Sequence, residues 1–386
     1  MKTRPSFNIA KRTCCVLAVP CAIAVGVSAT VAAPSWTSPP AAPPVQATFS
    51  TPSGVAVKFA PLTLYVADYI AVRKIVGNNV TTLAGPNDLT PPIHTCANGF
   101  LNGTGQNARF NYISGIAVGQ LSGNVYVTEH TNNTVRKITP AGVVTTFAGA
   151  GPLAPMTTPN PSVDGIGTAA TFNHPNGIVI DPAEQFLYVA DSYDYSIRRI
   201  TVATKLVKTV VASHAAVSAP TGIAIDPTNP KLLYIMEQAY GRVRKLDMNL
   251  YTGTPLTSSS LPIVAGPPLN INIPAGIALD AAGALFLTEG NGIGNTVNHV
   301  RKGAVNSPLK PVVAGAGVNG LVDANGLLAK FDTPAGIALN PGATMLFIAD
   351  QRNNVIRQLK TTPPYTVTTY AGHAPGHPNS CADGTK

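Results

Sequence analysis

The apolar positions of this chain fall in short runs broken by polar ones, and the runs come in fours. In residues 115–149 they read "GIAV" (115–118), "NVYVTE" (124–129), "TVRKI" (134–138) and "VVTTFAG" (143–149). Residues 177–212 repeat the order as "GIVI", "FLYVAD", "SIRRI" and "LVKTVVA". Each run is rich in Val, Ile, Tyr and Thr and is bounded by Gly, Pro, Asn or Asp, the pattern of strands joined by turns. The phrase that opens a unit occurs six times: "PSGVAV", "ISGIAV", "PNGIVI", "PTGIAI" and "PAGIAL" twice. Its glycines, Gly54, Gly115, Gly177, Gly222, Gly276 and Gly336, stand 61, 62, 45, 54 and 60 residues apart. Self-similarity at such a period marks a repeat architecture, and four-stranded units set around an axis leave no long exposed sheet edge. An open solenoid would need polar end caps, which the sequence does not show. The expected fold is all-β: a six-bladed β-propeller of four-stranded antiparallel blades over residues 47–378. Each blade begins at its inner strand and ends at its outer one, so no strand exchange is expected to close the ring.

Four phrases carry a family resemblance: P-x-G-I-A, LYVAD, N-x-[IV]-R-K-I and V-x-T-x-A-G, with "DGIGTAATF" leading into "HPNGI". On these, residues 50–375 resemble NHL repeats. The resemblance implies the propeller and leaves function open, because such propellers include protein- and RNA-binding modules, extracellular domains and a few enzymes. Among the enzymes it brings in, the amidating lyase of peptide-hormone maturation holds zinc with histidines from different blades. Gluconolactonase-like propellers hold a divalent cation with a Glu, Asn and Asp cluster near the axis, which Asn176 and the acids that end the second runs could imitate in part.

Every unit ends its second run with an acid: Asp68, Glu129, Asp191, Glu237, Glu289 and Asp350. An arginine follows in the third run: Arg73, Arg136, Arg198, Arg244, Arg301 and Arg357, at separations of 5, 7, 7, 7, 12 and 7. In an antiparallel hairpin such positions are expected to face each other and attract. A device present in every blade belongs to the scaffold, so these six are read as structural ion pairs in or beside the blade interfaces. The alternative is a ring of carboxylates at a channel mouth, with Glu129 and Glu289 among its members. The first hairpin is shortened and the fifth lengthened, and long interblade loops (86–112, 150–175 and 316–334) emerge at the same end. Ligands are expected there, since rigid scaffolds carry function on elaborated loops. Spaced pairs in those loops, Ala108 and Phe110, Ala170 and Phe172, Ala329 and Phe331, read as plugs between blades. Asp181, Asp226 and Asp280 read as turn residues.

A metal site on the axis needs ligands from several blades at equivalent positions. The residues after the second-run acids are Tyr69, His130, Ser192, Gln238, Gly290 and Gln351. Those preceding the inner strands are Thr51, Tyr112, His174, Ala219, Ile273 and Thr333. No three histidines share a register, so no metal and no cofactor is expected. Calcium or zinc enters only with the enzyme alternative. Tyr193, Tyr195 and Tyr240 sit in hairpins of adjacent blades and suit contact with a protein or glycan; Glu129, His130 and Glu289 are the other candidate binding residues.

Composition agrees with a turn-rich β protein: 35 Gly, 35 Pro and only 11% charged residues in 386. The net charge is +9, with Lys2, Arg4, Lys11 and Arg12 ahead of an apolar stretch (Cys14 to Ala33) that ends in small residues. That is the signal-peptide pattern, with a retained anchor as the alternative. Residues 34–46 read as a Pro-rich linker and 379–386 as a tail. The remaining basic residues form no run, which excludes an obvious nucleic-acid surface. Outside the leader only Cys96 and Cys381 remain, in equivalent loops of the first and last units, where a disulfide would staple the ring. Asn79, Asn102 and Asn132 head glycosylation sequons. The chain therefore reads as an exported, monomeric propeller that binds a protein or glycan, with no nucleic acid and no membrane contact beyond the N-terminal segment. The alternative is a metal-dependent hydrolase or lyase with its site on the axis.

Overall fold

The computed structural model describes residues 47–87, 98–152, 162–212, 217–265, 274–290, 297–305, 312–372 and 384–385. They form a six-bladed β-propeller with almost no helix. The blades start at Pro52–Lys58, Ile113–Val118, Pro175–Ile180, Pro220–Ile225, Pro274–Leu279 and Pro334–Leu339, the strands nearest the axis. Within each, strands pair in chain order, inner to outer. The apolar residues of those strands fill six clusters among the described residues, each spanning two neighbouring blades. Burial between blades, rather than within one central mass, is what makes a repeat stable only as part of a ring. Among the described residues no helix is long and apolar enough to cross a membrane.

Two details differ from the sequence expectation. Blades 1, 2, 3 and 6 carry a fifth, two-residue strand on the outer edge. In blades 2, 3 and 6 it comes from the loop that precedes the blade: Gly103–Thr104, Gly165–Ile166 and Ala324–Asn325. In blade 1 it is Gly384–Thr385, from the C-terminal end, with Gly384 opposite Val80 and Thr385 opposite Asn79. Chain-end pairing therefore closes the ring, where no exchange was expected. The "DG" start of an interblade loop lies at one end of the chain. Its continuation, Ala47 and Phe49, lies at the other, and both are buried like Ala108 and Phe110.

The second difference concerns the acid and arginine. They do not face each other. Asp191 is opposite Ser196 and Arg198 is opposite Val189, so the pair is diagonal on one blade face. The same diagonal holds in blade 1, where Asp68 is opposite Ala71 and Val66 opposite Arg73. It holds in blade 5, where Glu289 is opposite His299 and Leu287 opposite Arg301. The turn length varies and the diagonal does not, because side chains two residues apart on a strand share a face.

Candidate functional site

All six ion pairs form. The N–O distances are 3.3 Å for Arg73–Asp68, 2.8 Å for Arg136–Glu129, 3.1 Å for Arg198–Asp191, 3.0 Å for Arg244–Glu237, 2.6 Å for Arg301–Glu289 and 2.9 Å for Arg357–Asp350. Every acid is buried. Glu129 accepts hydrogen bonds from the backbone N–H of Asn111, the Asn132 amide, the Thr134 hydroxyl and Arg136. Glu289 is held by Arg301 at 2.6 Å. Neither is open to a ligand, so the expectation of Glu129 and Glu289 as binding residues fails. Four of the arginines also lie over a loop phenylalanine: Arg73 on Phe49, Arg136 on Phe110, Arg198 on Phe172 and Arg357 on Phe331, at 5.0–5.5 Å. The loop aromatics thus plug the blade and cover the guanidinium at once.

The acids' turns organise the next blade. Asn133, Asn298 and Asn354 each accept, at 2.8 Å, the backbone N–H of the residue before the following inner strand: His174, Thr333 and Thr51. Those residues adopt positive φ, 52°, 58° and 54°. Non-glycine residues reach that region only where surroundings impose it. Tyr112 and Ala219 at the same register adopt it too, at 52° and 43°, and with Thr333 they line the end of the axial channel. After three of the second-strand acids the next residue joins them: the N–H of His130 donates to the Tyr112 carbonyl, that of Gln238 to Ala219 and that of Gln351 to Thr333.

The channel is a cavity of about 340 Å³. Its wall is made by the six inner-strand glycines and their neighbours, and its mouth by members of the two registers just described, among them Tyr112, His130, Gln238, Thr333 and Gln351; Tyr69 and His174 stand beside the mouth, in ring contact with lining residues. One side of the mouth is aromatic. Ring centroids are 6.2 Å apart for Tyr69–Tyr112, 5.3 Å for Tyr112–His130, 4.5 Å for His130–His174 and 5.9 Å for His130–Tyr193. His174 stacks on Tyr193 at 4.3 Å, with 29° between planes. The opposite side carries Ala219, Gln238, Gly290, Thr333 and Gln351. Among the described lining residues there is no Asp, Glu, Lys or Arg. The imidazoles are neutral as well. Burial, and then the nearby His174, pushes His130 down to about 4, and burial lowers His174. Burial raises Tyr112, against the pull of its hydrogen bond with Gln351 across the mouth. His174 Nδ1 lies 2.8 Å from the Asn173 amide oxygen, an acceptor, which leaves Nε2 as the accepting nitrogen.

His130 and Tyr193 are thus candidate residues that the structure brings together. Tyr195 and Tyr240 do not join them; neither lines the cavity, and Tyr240 lies instead under Arg242 at 4.3 Å. The sequence alone does not mark Tyr69, Tyr112 and His174 as ligand residues. Comparing each register separately hid them, since the site arises where the two registers interleave. Asn132 is buried, with its amide on Glu129 and on the Gly99 carbonyl, a position that does not admit a glycan. The Asn102 side chain accepts from Arg136 at 2.7 Å, and Asn79 is exposed. Asp181, Asp226 and Asp280 all accept turn N–H groups as expected. The leader, the linker, Cys96 and Cys381 lie outside the described residues.

The His130 shift gives a pH prediction. Unfolded, an imidazole binds a proton near 6.5; folded, this one does so near 4. Between those values the unfolded chain holds the extra proton, so the contribution to stability is present above 6.5 and is lost as pH falls toward 4. The buried Asp68, Asp191 and Asp350, raised to about 6 by desolvation, act with the opposite sign: their contribution is present below the ordinary carboxylate value and is lost as pH rises through 6. A comparison with His130→Gln cancels them. Between pH 7.5 and 4.5 the wild type should lose about 1–2 kcal/mol more than the variant in urea unfolding, after allowance for partial solvent screening. Equal losses would place His130 in a solvated setting.

No protein-family profile matches the chain. A bovine (Bos taurus) NHL repeat-containing protein 2 is 29% identical over 199 residues, covering 49% of this chain. Protein SUPPRESSOR OF QUENCHING 1, chloroplastic, of Arabidopsis thaliana, is 25% identical over 289 residues, covering 68% of this chain. The chain spans about a quarter (26%) of the length of these curated relatives. Among solved structures, one described as the crystal structure of a nidogen/laminin complex superposes with a TM-score of 0.52 at 15% identity, covering 81% of this chain and 93% of that one. With six repeats of the blade phrase, six blades in the fold and relatives named for the same repeat, the chain is an NHL-repeat β-propeller.

Proposed function

We propose that the chain is an exported binding propeller that holds a protein or glycan at the loop-bearing mouth of its axial channel. The observation that carries this reading is the uncharged aromatic crescent of Tyr69, Tyr112, His130, His174 and Tyr193 on one side of the mouth. Exposed aromatics beside unspecialised polar groups are the composition of contact surfaces. A propeller of the same fold occurs in a nidogen/laminin complex, which supports the fold as a binding platform. The leader's basic start, apolar stretch and small-residue end support export. The chloroplastic relative makes a transit peptide the competing address, and sequencing the mature N-terminus from each cell fraction separates the two.

The hydrolase or lyase alternative fares less well on the geometry. A hard cation needs several oxygen ligands with carboxylates among them. The six recurring acids are held in arginine pairs, and no carboxylate lines the described cavity. Zinc needs at least three protein ligands, and no group of three or more His, Cys, Asp or Glu is so placed among the described residues.

The test is capture from the extracellular fraction on immobilised propeller, wild type against a Tyr69→Ala/Tyr193→Ala double variant. Partners retained by the wild type should be lost by the variant at unchanged melting temperature. Identical recovery by both would move the binding surface away from the mouth.

A further inference from the structure

We propose that the mouth takes the uncharged, hydroxyl-rich terminal sugar of a neutral glycan, seated against the His174–Tyr193 pair and hydrogen-bonded by Asn176, His130 and Gln238. This rests on the reading of the mouth as a binding site. Three features of the cavity select the ligand class.

The first is charge. With no Asp, Glu, Lys or Arg among the described lining residues, a neutral imidazole on His130 in the wall and another on His174 behind Tyr193, the site offers nothing to offset a phosphate, sulfate, sialic acid or ammonium group. Burying such a group unpaired is costly. The second is size. About 340 Å³ is at the small end of ligand sites, which run from roughly 300 to 1,000 Å³, so the cavity holds one ring of a longer chain and not an oligomer. The third is the division of the walls. Tyr193 keeps 58% of its surface exposed beyond its stack with His174, an apolar face for the C–H side of a sugar ring. Around it, the Asn176 and Gln238 amides and the His130 imidazole, whose ring centroid is 5.9 Å from that of Tyr193, line the cavity without a protein hydrogen-bond partner among the described residues. Each of those groups both donates and accepts, as a sugar hydroxyl does.

An extended peptide is disfavoured by the same wall. Peptides bind sheet edges by adding a strand. Here neighbouring inner strands lie so close that a Cβ on Gly115 would sit 2.3 Å from the Asn176 carbonyl oxygen, and one on Gly276 would sit 2.4 Å from that of Ala335. No further strand fits between them.

The experiment is a printed array of neutral glycans (terminal galactose, glucose, mannose or N-acetylglucosamine) beside sialylated and sulfated ones, probed with the full secreted chain. Saturation-transfer NMR with the free methyl glycosides separates recognition of the sugar alone from recognition of a glycoprotein-linked one. Binding should be confined to neutral glycans. It should weaken at least tenfold in Tyr193→Ala and in Asn176→Ala and persist in Tyr240→Ala, whose ring lies outside the cavity. Tyr193→Leu, which keeps an apolar side chain at an exposed position, guards against loss through misfolding. A blank array, binding only to acidic glycans, or full binding by the Tyr193 variants would overturn the sugar assignment. If the array is blank while capture of a secreted protein still depends on Tyr69 and Tyr193, the mouth remains a binding site and only the sugar assignment falls. If both fail, both readings fall.

Discussion

Replacing Arg198 with alanine is expected to destabilise the propeller by about 3–5 kcal/mol, the cost of stranding a buried charge. The guanidinium is completely buried. Its two terminal nitrogens reach Asp191 at 3.1 Å, Asp164 at 3.0 Å and the carbonyl oxygens of Thr171 and Val163 at 3.0 Å each. It also covers Phe172 at 5.2 Å. Alanine removes all of this while Asp191 stays fully buried, held only by the Asn173 N–H and the Ser162 hydroxyl. Arg198→Met should cost nearly as much, since it restores volume but no charge. Arg301→Ala is the internal control. Its side chain is 18% exposed, and Glu289 keeps His299 at 3.6 Å. A loss roughly half as large is expected there, because solvent screens a partly exposed charge. Urea unfolding followed by circular dichroism reads both. A loss below about 1 kcal/mol for Arg198→Ala would mean that Asp191 does not depend on its partner.

The pairs show what the sequence makes legible. A strand alternates faces with period two, so recurring acid and arginine positions report that the two side chains share a blade face. They do not report turn length. The sequence therefore predicts Asp191 and Arg198 directly opposed, whereas a four-residue turn puts Ser196 opposite the acid and the arginine one diagonal further on. The blade count and the inner strands follow from the glycine phrases, because at four of the six, Gly115, Gly177, Gly276 and Gly336, a Cβ would run into the backbone of the neighbouring inner strand.

The mouth was only half legible for a different reason. His130 and His174 stand in different registers, one after a second strand and one before an inner strand. Linear comparison keeps those registers apart. The hydrogen bond from His130 N–H to Tyr112, and the one from His174 N–H to Asn133 of the preceding blade, bring them into one ring. Reading both registers as a single circle would have placed Tyr69, Tyr112, His130 and His174 side by side. The closure was hidden likewise: the fifth strand of blade 1 and its plug, Phe49, lie at opposite ends of the chain. No contiguous motif spans them.

Gly115→Ala should cost about 2–3 kcal/mol, far more than its single methyl group suggests, because overpacking here acts on backbone. The new Cβ would stand 2.3 Å from the Asn176 carbonyl oxygen and 2.8 Å from the Thr128 hydroxyl. Those two groups are themselves bonded, Thr128 donating to the Asn176 carbonyl, so they latch blade 2 to blade 3. Gly276 repeats the arrangement: Thr288 donates to the Ala335 carbonyl at 2.6 Å, and a Cβ would meet that oxygen at 2.4 Å. A rotamer change cannot relieve either contact; the inner strands have to part, and the latch breaks with them. Gly54→Ala is the control, since its first obstacle is a side-chain methyl, Ile116 Cγ2 at 3.1 Å, which can shift. It should cost under about 1 kcal/mol. Because Asn176 lines the cavity, the Gly115 variant should also lose ligand binding at temperatures where it remains folded, whereas Gly54→Ala should keep it. Equal stability losses for the two variants would show that the inner strands tolerate separation, and that close approach is not what holds glycine at this point of the repeat.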